Sequence, residues 1–441
     1  MTPEHNGLSE ALRVASKMLR PTPVYGRVVD AVGTLVKGAG LNVKVGELCG
    51  LLVDGCDPVL AEVIGIAGEK ALLAPMGALD GISDRTAIVN FGRQHTINAG
   101  PHLLGRALDG LGRSFIDGLG GTPTGGIEVS ISSDPPKALS RKPINAPMEL
   151  GVRALDGLLT CGVGQRIGIF APAGCGKSTL LGAIASHATA DVIVVALIGE
   201  RGREVGEFVE HALGPEAMKR SVLIVATSDR PAMERARAAQ VATSVAEYFR
   251  DQGKSVLLMV DSITRYARAL REIGLAAGEP PARRGFPPSV FANLPKLFER
   301  SGQGVTGSIT AFYTVLEETD DGLDPISEEV RSLLDGHIVL SRKLASMGHF
   351  PAIDILLSAS RVMPRLVSAE HVRNCNRVKE LWGKYKDLEI LIQVGEYKRG
   401  EDAEADAAVN LNPQIRNFLR QDVSQRSSFD DTINELWSLQ R

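Results

Sequence analysis

The sequence predicts an α/β protein in which a small β-barrel precedes a mostly parallel, helix-covered sheet, and a helical region follows. Positions 24–90 contain short β-rich runs that Gly, Asp and Pro interrupt about every ten residues, which is typical of a small closed barrel. Apolar runs that alternate with helical patterns then predict a parallel sheet covered on both faces. The tail, residues 368–441, has a helical pattern with aromatic anchors.

Composition and charge are those of a globular protein. The 441 residues are 44% hydrophobic with a formal net charge of −3, so no overall basic field indicates nucleic acid or anionic lipid. Five cysteines lie scattered without metal-ligand spacing, which favours reduced thiols in a cytoplasmic protein. Since no apolar run approaches the roughly 20 residues that cross a bilayer, we expect any membrane contact to be peripheral.

The N-terminal segment, residues 1–24, has a basic amphipathic pattern. Apolar residues recur at helical spacing from Leu8 to Leu19 beside basic residues, and Pro21 ends the pattern. Such a helix can lie on a membrane or dock on a partner. It can equally cap its own fold.

The predicted barrel, residues 25–95, has aromatic residues only at its margins, Tyr25 and Phe91. Binding of single-stranded nucleic acid uses aromatic side chains on which bases stack. We therefore interpret the barrel as structural and expect no nucleic-acid partner.

Five apolar runs predict the central strands of the sheet. They are Arg166–Phe170, Val192–Ile198, Val222–Thr227, Val256–Val260 and Ser308–Val315. Ile353–Leu357 is a candidate sixth strand. Because open α/β sheets bind ligands beyond the carboxyl ends of their strands, the informative residues should directly follow these runs.

The first run leads into a small-residue turn and a helical pattern, RIGIFAPAGCGKSTLL. The turn matches the P-loop pattern, except that Ala171 replaces its first glycine. We expect the turn and the helix N-terminus to cradle phosphates, Lys177 to reach the β- and γ-phosphates, and Ser178 to ligate Mg²⁺. The predicted nucleotide-binding residues are Ala173, Gly174, Cys175, Gly176, Lys177, Ser178 and Thr179. An ordinary Gly-rich strand–helix turn is the alternative interpretation.

The second and fourth runs also end in candidate site residues. Glu200 follows Ile198 where a carboxylate could polarise a water for attack on the γ-phosphate, or could instead stabilise a helix N-terminus. Arg201 and Arg203 could hold that carboxylate or the phosphates. Asp261 follows four apolar residues and could hold the water shell of a metal from a rigid strand end.

The remaining arginine-rich features have more than one interpretation. The helix after the fourth run carries Arg265, Arg268 and Arg271, a stripe that is more often solvated or subunit-facing than part of a phosphate site. The Gly/Pro-rich loop at residues 274–288 is expected to face a subunit or a pore. Arg361 follows the candidate sixth strand and could be an arginine finger for a neighbouring subunit or form an internal salt bridge.

Together these features resemble the hexameric rotary ATPases, which include ATP synthase catalytic subunits and the export ATPases of flagella and type III secretion systems. The resemblance covers about residues 25–441, from the barrel through the P-loop, GER, the Asp after four apolar residues, and SRV to the tail. DSITRYARALREIGLAAGEPP points to the export branch, and LIQVGEYKRGEDAEADAAVN resembles injectisome ATPases more than flagellar ones. The implied domains are the segment 1–24, a barrel at 25–95, a RecA-like P-loop core at 96–367 and a helical domain at 368–441.

The resemblance implies catalytic roles residue by residue. Lys177 and Ser178 hold phosphate and Mg²⁺, and Asp261 positions the metal. Glu200 activates water, and Arg201 should help to fix it.

The resemblance also implies a finger and an adenine contact. Arg361, in its SRV context, should act in the site of the next subunit. Where ATP synthase β subunits carry an adenine-contacting aromatic, this chain has Val372. Phe418 is therefore the candidate adenine contact, and weak base selectivity is expected.

The implied function is Mg²⁺-dependent ATP hydrolysis by a homohexameric ring at the cytoplasmic base of a type III secretion apparatus, against the inner face of the membrane. Implied partners are a stator-type regulator, a central stalk protein, sorting-platform proteins and chaperone–substrate complexes. A flagellar export ATPase is the nearest alternative. A ring-shaped RNA helicase is disfavoured by the aromatic-poor barrel, and a non-catalytic nucleotide-binding subunit by retention of the candidate catalytic residues.

Overall fold

The computed structural model describes residues 25–115, 123, 125–317 and 324–439. The chain divides into two compact units, of which the first ends at Gln94 and the second begins at His95. The predicted amphipathic segment, residues 1–24, lies outside the described residues. Among the helices of the described residues, none is both long and apolar enough to cross a membrane.

The first unit is the small barrel that the sequence predicts. Its strands are β1 (Tyr25–Val32), β2 (Leu35–Ala39), β3 (Leu48–Leu52), β4 (Val59–Ala67), β5 (Lys70–Pro75) and β6 (Ala87–Asn90). They close in the order β1–β2–β5–β4–β3–β6 with antiparallel neighbours. Val36, Leu51 and Leu73 are completely buried inside the barrel, whereas the two marginal aromatics, Tyr25 and Phe91, are exposed.

The second unit is organised around one large sheet. Its strands are β7 (Thr96–Ala99), β8 (Arg106–Asp109), β9 (Ile127–Ser130), β10 (Arg166–Ala171), β11 (Val192–Ile198), β12 (Ser221–Ala226), β13 (Ser255–Asp261), β14 (Gly302–Gln303), β15 (Ser308–Leu316), β16 (Gly336–Val339) and β17 (Ala359–Ser360). The sheet runs β17–β16–β10–β15–β13–β11–β12–β8, with β14 added to β15, and β7 pairs with β9 separately. From β16 to β8 the neighbours are parallel. The five predicted apolar runs correspond to β10, β11, β12, β13 and β15.

The prediction of a sixth strand at Ile353–Leu357 is wrong. Ile353 makes only an isolated bridge to Leu340. The chain then turns, because the Asp354 carboxylate accepts hydrogen bonds from the backbone N–H groups of Leu356 and Leu357. The sheet edge is formed instead by β16 and β17, whose short runs carry little apolar signal.

Both faces of the central strands are buried, as in other parallel sheets. Along β11, Ile193 and Val195 pack on one face, while Val192 and Val194 pack on the other. The strand therefore reads as a continuous apolar run rather than as an alternating one.

The helices cover these two faces and form the C-terminal part of the unit. They are α1 (Arg153–Leu158), α2 (Lys177–His187), α3 (Gly202–Glu207), α4 (Gly214–Lys219), α5 (Ala232–Asp251), α6 (Ile263–Ala276), α7 (Pro288–Phe298), α8 (Pro325–Leu333), α9 (Arg342–Ser346), α10 (Met363–Leu366), α11 (Ala369–Gln393), α12 (Ala403–Leu419) and α13 (Phe429–Ser438). A π-helix spans Phe208–Leu213, and 3₁₀ turns span Pro101–Leu103, Ala138–Ser140 and Arg283–Gly285. The last three helices are capped by the residues that precede them, Ser368, Asp402 and Ser428, whose side chains accept hydrogen bonds from first-turn N–H groups.

Candidate active site

The P-loop connects the carboxyl end of β10 to the N-terminus of α2. Gly174 and Gly176 both have φ of +80°, a left-handed conformation that residues with a Cβ rarely adopt. In the part of the chain that the structure describes, no side chain caps the first turn of α2, so its backbone N–H groups and positive dipole end are available to an anion. Ala173 and Ser178 are exposed at this turn, whereas the Cys175 side chain is buried and fills space.

Lys177 lies between two carboxylates that follow neighbouring strands. Its ammonium group pairs with Asp261 and lies 3.6 Å from Oε1 of Glu200. Asp261 ends β13 beside β11, the strand that leads to Glu200, so both acids reach the same edge of the sheet. The structure thus brings together three residues that are 23 to 84 positions apart in the chain.

Asp261 is held by a residue that sequence reasoning missed. Thr314 on β15 donates a hydrogen bond from Oγ1 to Oδ1 of Asp261 at 2.7 Å. Both side chains are buried, which fixes the carboxylate at the strand end. In sequence, Thr314 was only one residue of an apolar run.

Glu200 is a buried carboxylate with an unusual protonation equilibrium. Burial, together with the hydrogen bond to Glu204 and the charge of Asp261, raises its pKa to about 7, although Lys177 and Arg265 act in the opposite direction. A group with a pKa near neutral pH can both accept and release a proton under working conditions. This position suits a general base.

Arg265, not Arg201, is the arginine beside Glu200. Arg265 Nη2 lies 3.5 Å from Oε2 of Glu200, and Nη1 donates to the Gly199 carbonyl at 2.6 Å. Arg201 was predicted to fix Glu200, but its side chain is 76% exposed and lies 3.8 Å from Glu204. Arg265 was assigned to a solvated or subunit-facing stripe; it lies in the site because α6 follows β13, the neighbour of β11.

Arg361 lies near the amino ends of the parallel strands, whereas its own P-loop follows the carboxyl end of β10. Ser360 pairs with Gly336, which pairs with Ile167 near the start of β10, and the P-loop follows the other end of that strand. Strands rise about 3.3 Å per residue, so roughly 17 Å of β10 separates the two ends. The exposed Arg361 side chain donates to the Arg331 carbonyl at 3.3 Å and forms no part of the site built around Lys177.

A small apolar slot lies next to the P-loop. It is lined by Val152, Gly176, Thr179, Leu180, Ala183, His187, Phe350, Pro351, Gln421, Asp422, Val423 and Gln425. Phe350 is 43% exposed, and its ring lies against Gly176. The slot therefore offers an exposed aromatic ring beside the phosphate cradle.

Phe418, the predicted adenine contact, is not in this slot. Its side chain is completely buried in the core cluster that contains the apolar residues of α2. Its ring packs so closely on Gly157 that a Cβ there would come within 2.9 Å. The aromatic ring that lines the slot belongs to Phe350, which the sequence analysis did not single out, although it stands in an aromatic–proline pair.

The raised pKa of Glu200 predicts a pH dependence. Only the ionised carboxylate can accept a proton, so we expect kcat/KM for ATP to fall as pH drops through about 7. Since Arg265 lowers this pKa, the Arg265→Gln variant should move the acid limb to higher pH. The ionisation of ATP is the same for both proteins, so superimposable pH profiles would contradict the assignment.

Comparisons with known proteins agree with the fold. Residues 24–92 match the ATP synthase alpha/beta family β-barrel domain, residues 151–360 match the nucleotide-binding domain of that family, and residues 367–438 match the T3SS EscN ATPase C-terminal domain.

Relatives match over nearly the whole chain. A type 3 secretion system ATPase from Xanthomonas euvesicatoria is 54% identical over 94% of each chain. A flagellum-specific ATP synthase from Pseudomonas aeruginosa is 48% identical over 98% of this chain and 96% of its own. The assembled ATPase EscN of enteropathogenic E. coli, solved with its central stalk EscO, is 50% identical with a TM-score of 0.86, covering 94% of this chain and 99% of that one. The chain therefore belongs to the type 3 secretion system ATPases within the ATP synthase alpha/beta family, and it is an ATPase.

Proposed function

We propose that this chain hydrolyses ATP with Mg²⁺ in a homohexameric ring at the cytoplasmic base of a type III secretion apparatus, where it energises chaperone release and substrate export. The observation that carries this proposal is the convergence of Lys177, Glu200 and Asp261 at the carboxyl ends of the parallel strands, with Arg361 near the amino ends. One subunit then has a phosphate-binding half-site and, at the other end of the strands, the finger for a neighbour.

The residues at the P-loop suit Mg²⁺ bound together with phosphates. Within residues 25–115, 125–317 and 324–439, no group of three or more His, Cys, Asp or Glu side chains could hold a metal by itself. Mg²⁺ is commonly held by one or two side chains with oxygen donors, by substrate phosphates and by waters. The Ser178 hydroxyl and the Asp261 carboxylate provide such donors, and Mg²⁺ bound there would neutralise phosphate charge.

The proposed mechanism assigns one task to each side chain. Lys177 exchanges its contact with Asp261 for the β- and γ-phosphates of ATP. Glu200, in its ionised form, polarises the attacking water and accepts its proton. Arg265 keeps the Glu200 carboxylate in place, and Thr314 does the same for Asp261.

Assembly supplies the missing half of the site. A head-to-tail interface that closes on itself produces a ring. In such a ring Arg361 of each subunit would face the γ-phosphate bound by its neighbour. The assembled state of EscN supports the ring, and its complex with EscO supports a central stalk protein as a partner.

Further partners and the location are proposed from the family. They are a stator-type regulator, sorting-platform proteins and chaperone–substrate complexes, at the inner face of the cytoplasmic membrane. Flagellar export is the second candidate function, because a flagellum-specific relative is 48% identical. Restoration of secretion in an injectisome-ATPase null strain, but not of swimming in a flagellar-ATPase null strain, would distinguish the two.

The proposal is tested by the dependence of activity on protein concentration. A site completed by a neighbouring subunit is inactive in the monomer, so specific ATPase activity should rise steeply as the protein assembles. Sedimentation in parallel should show that the rise follows oligomer formation. Full specific activity in a protein that sediments as a monomer would disprove the shared site.

The apolar slot is proposed to bind the adenine base, with Phe350 as its stacking partner. Base–aromatic stacking contributes about 1–3 kcal/mol, so Phe350→Ala should raise KM for ATP about tenfold with little change in kcat. Phe350→Tyr keeps the ring and is the matched control. Steady-state kinetics on both variants decides the matter, and an unchanged KM for Phe350→Ala would place the base elsewhere.

A further inference from the structure

The C-terminal end of α12 is held by a buried arginine from another part of the chain. Arg153, the first residue of α1, donates from Nε to the Phe418 carbonyl at 3.0 Å and from Nη2 to the Asn417 carbonyl at 3.3 Å and to the Arg420 carbonyl. Its Nη1 lies 3.5 Å from the Glu435 carboxylate on α13. The last carbonyls of a helix have no partner within the helix, and here one guanidinium satisfies three acceptors.

Gln421, which follows Arg420, adds hydrogen bonds between the end of α12 and the start of α1. Its Oε1 accepts the Arg153 backbone N–H at 2.8 Å, and its Nε2 donates to the carbonyls of Gly151 at 2.8 Å and Gln425 at 2.6 Å. The Gln421 backbone N–H donates to the Phe350 carbonyl at 3.0 Å. Residues 421–425 are therefore attached to α1 and to the Phe350 turn.

These attachments determine one side of the apolar slot. The 421–425 segment and the Phe350 turn supply one part of its lining, and Val152, the P-loop and α2 supply the rest. Arg153 is not one of the described residues that line the slot, so it can influence a ligand there only through the residues that do. Its side chain is only 10% exposed, and the arginine spans the gap between α1 and the end of α12.

We propose that Arg153 is a positioning residue for the nucleotide base, which holds the end of α12 so that residues 421–425 keep their place in the lining of the slot. The proposal rests on the proposed binding of the adenine base in the slot. It assigns to Arg153 an effect on the base and none on the phosphates, because the phosphate cradle is built from the P-loop and Lys177.

The test compares two ligands that differ in the base. Binding of ATP and of inorganic tripolyphosphate is measured by calorimetry for the wild type and for Arg153→Ala. Arg153→Ala should bind ATP about tenfold more weakly, whereas tripolyphosphate affinity should stay within about twofold. Arg153→Lys keeps the charge but has no planar fork for several carbonyls, so its ATP affinity should be intermediate.

Two controls separate this role from others. The first control is Arg426→Ala. Arg426 is 53% exposed and pairs with Glu149, so it also connects the chain after α12 to the chain before α1. This variant should leave the affinities for ATP and for tripolyphosphate unchanged. Lys177→Ala should lose tripolyphosphate binding; if it does not, the proposed phosphate site fails, whatever Arg153 does. If Arg153→Lys folds, by thermal unfolding, and neither it nor Arg153→Ala changes the ratio of the two affinities, the positioning role is overturned.

Discussion

The Glu200→Ala variant is expected to bind ATP but to lose nearly all turnover. The carboxylate is buried beside Lys177 at the end of β11, and burial raises its pKa to about 7, the value of a working general base. Loss of a general base costs roughly 10²–10⁴ in rate. Binding should persist, because the P-loop backbone and Lys177 still hold the phosphates.

Single-turnover hydrolysis and equilibrium binding of ATP measure the two quantities separately. Glu207→Ala is the matched control, because Glu207 lies in α3, the helix that follows Glu200, but pairs with Arg203 at the surface and is 51% exposed. The control should keep wild-type rates. Wild-type turnover by Glu200→Ala would remove Glu200 from the mechanism, and loss of ATP binding would assign it to the phosphate site instead.

Local sequence patterns are sufficient to predict the five central strands and the P-loop. A strand buried on both faces is a continuous apolar run, so β10 to β13 and β15 can be found without tertiary information. The edge strand β17 has two residues and no such signal. The P-loop is equally local, because Gly174 and Gly176 are required by the backbone conformation of the turn itself.

Contacts between residues that follow neighbouring strands cannot be predicted from local sequence patterns. Helical periodicity places Arg265 on a stripe, but only the pairing of β13 with β11 brings it to Glu200. The two phenylalanines show the same limit. Both are apolar residues at the margin of a helix or turn, and tertiary packing alone buries Phe418 and exposes Phe350.

Arg361→Ala is expected to leave nucleotide affinity nearly intact and to remove most of the hydrolysis rate. Arginine fingers contribute roughly 10³–10⁵ in rate by stabilising charge in the transition state. Arg361→Lys should recover little, because an ammonium group lacks the planar fork of the guanidinium. ATP titrations and initial rates on assembled protein test both statements, and a full rate with alanine at this position would remove the finger from the mechanism.

Mixing variants tests whether the finger acts on the neighbouring subunit. Arg361 and the P-loop are at opposite ends of β10, so a ring of inactive Lys177→Ala and Arg361→Ala subunits should contain complete sites wherever an intact P-loop adjoins an intact finger. Equal random mixing in a closed ring completes about one site in four. In the control, Arg361→Ala mixed with the double variant has no finger on any subunit and should stay inactive. Failure of the first mixture to gain activity over this control, in rings verified to contain both variants, would mean that Arg361 acts within its own chain.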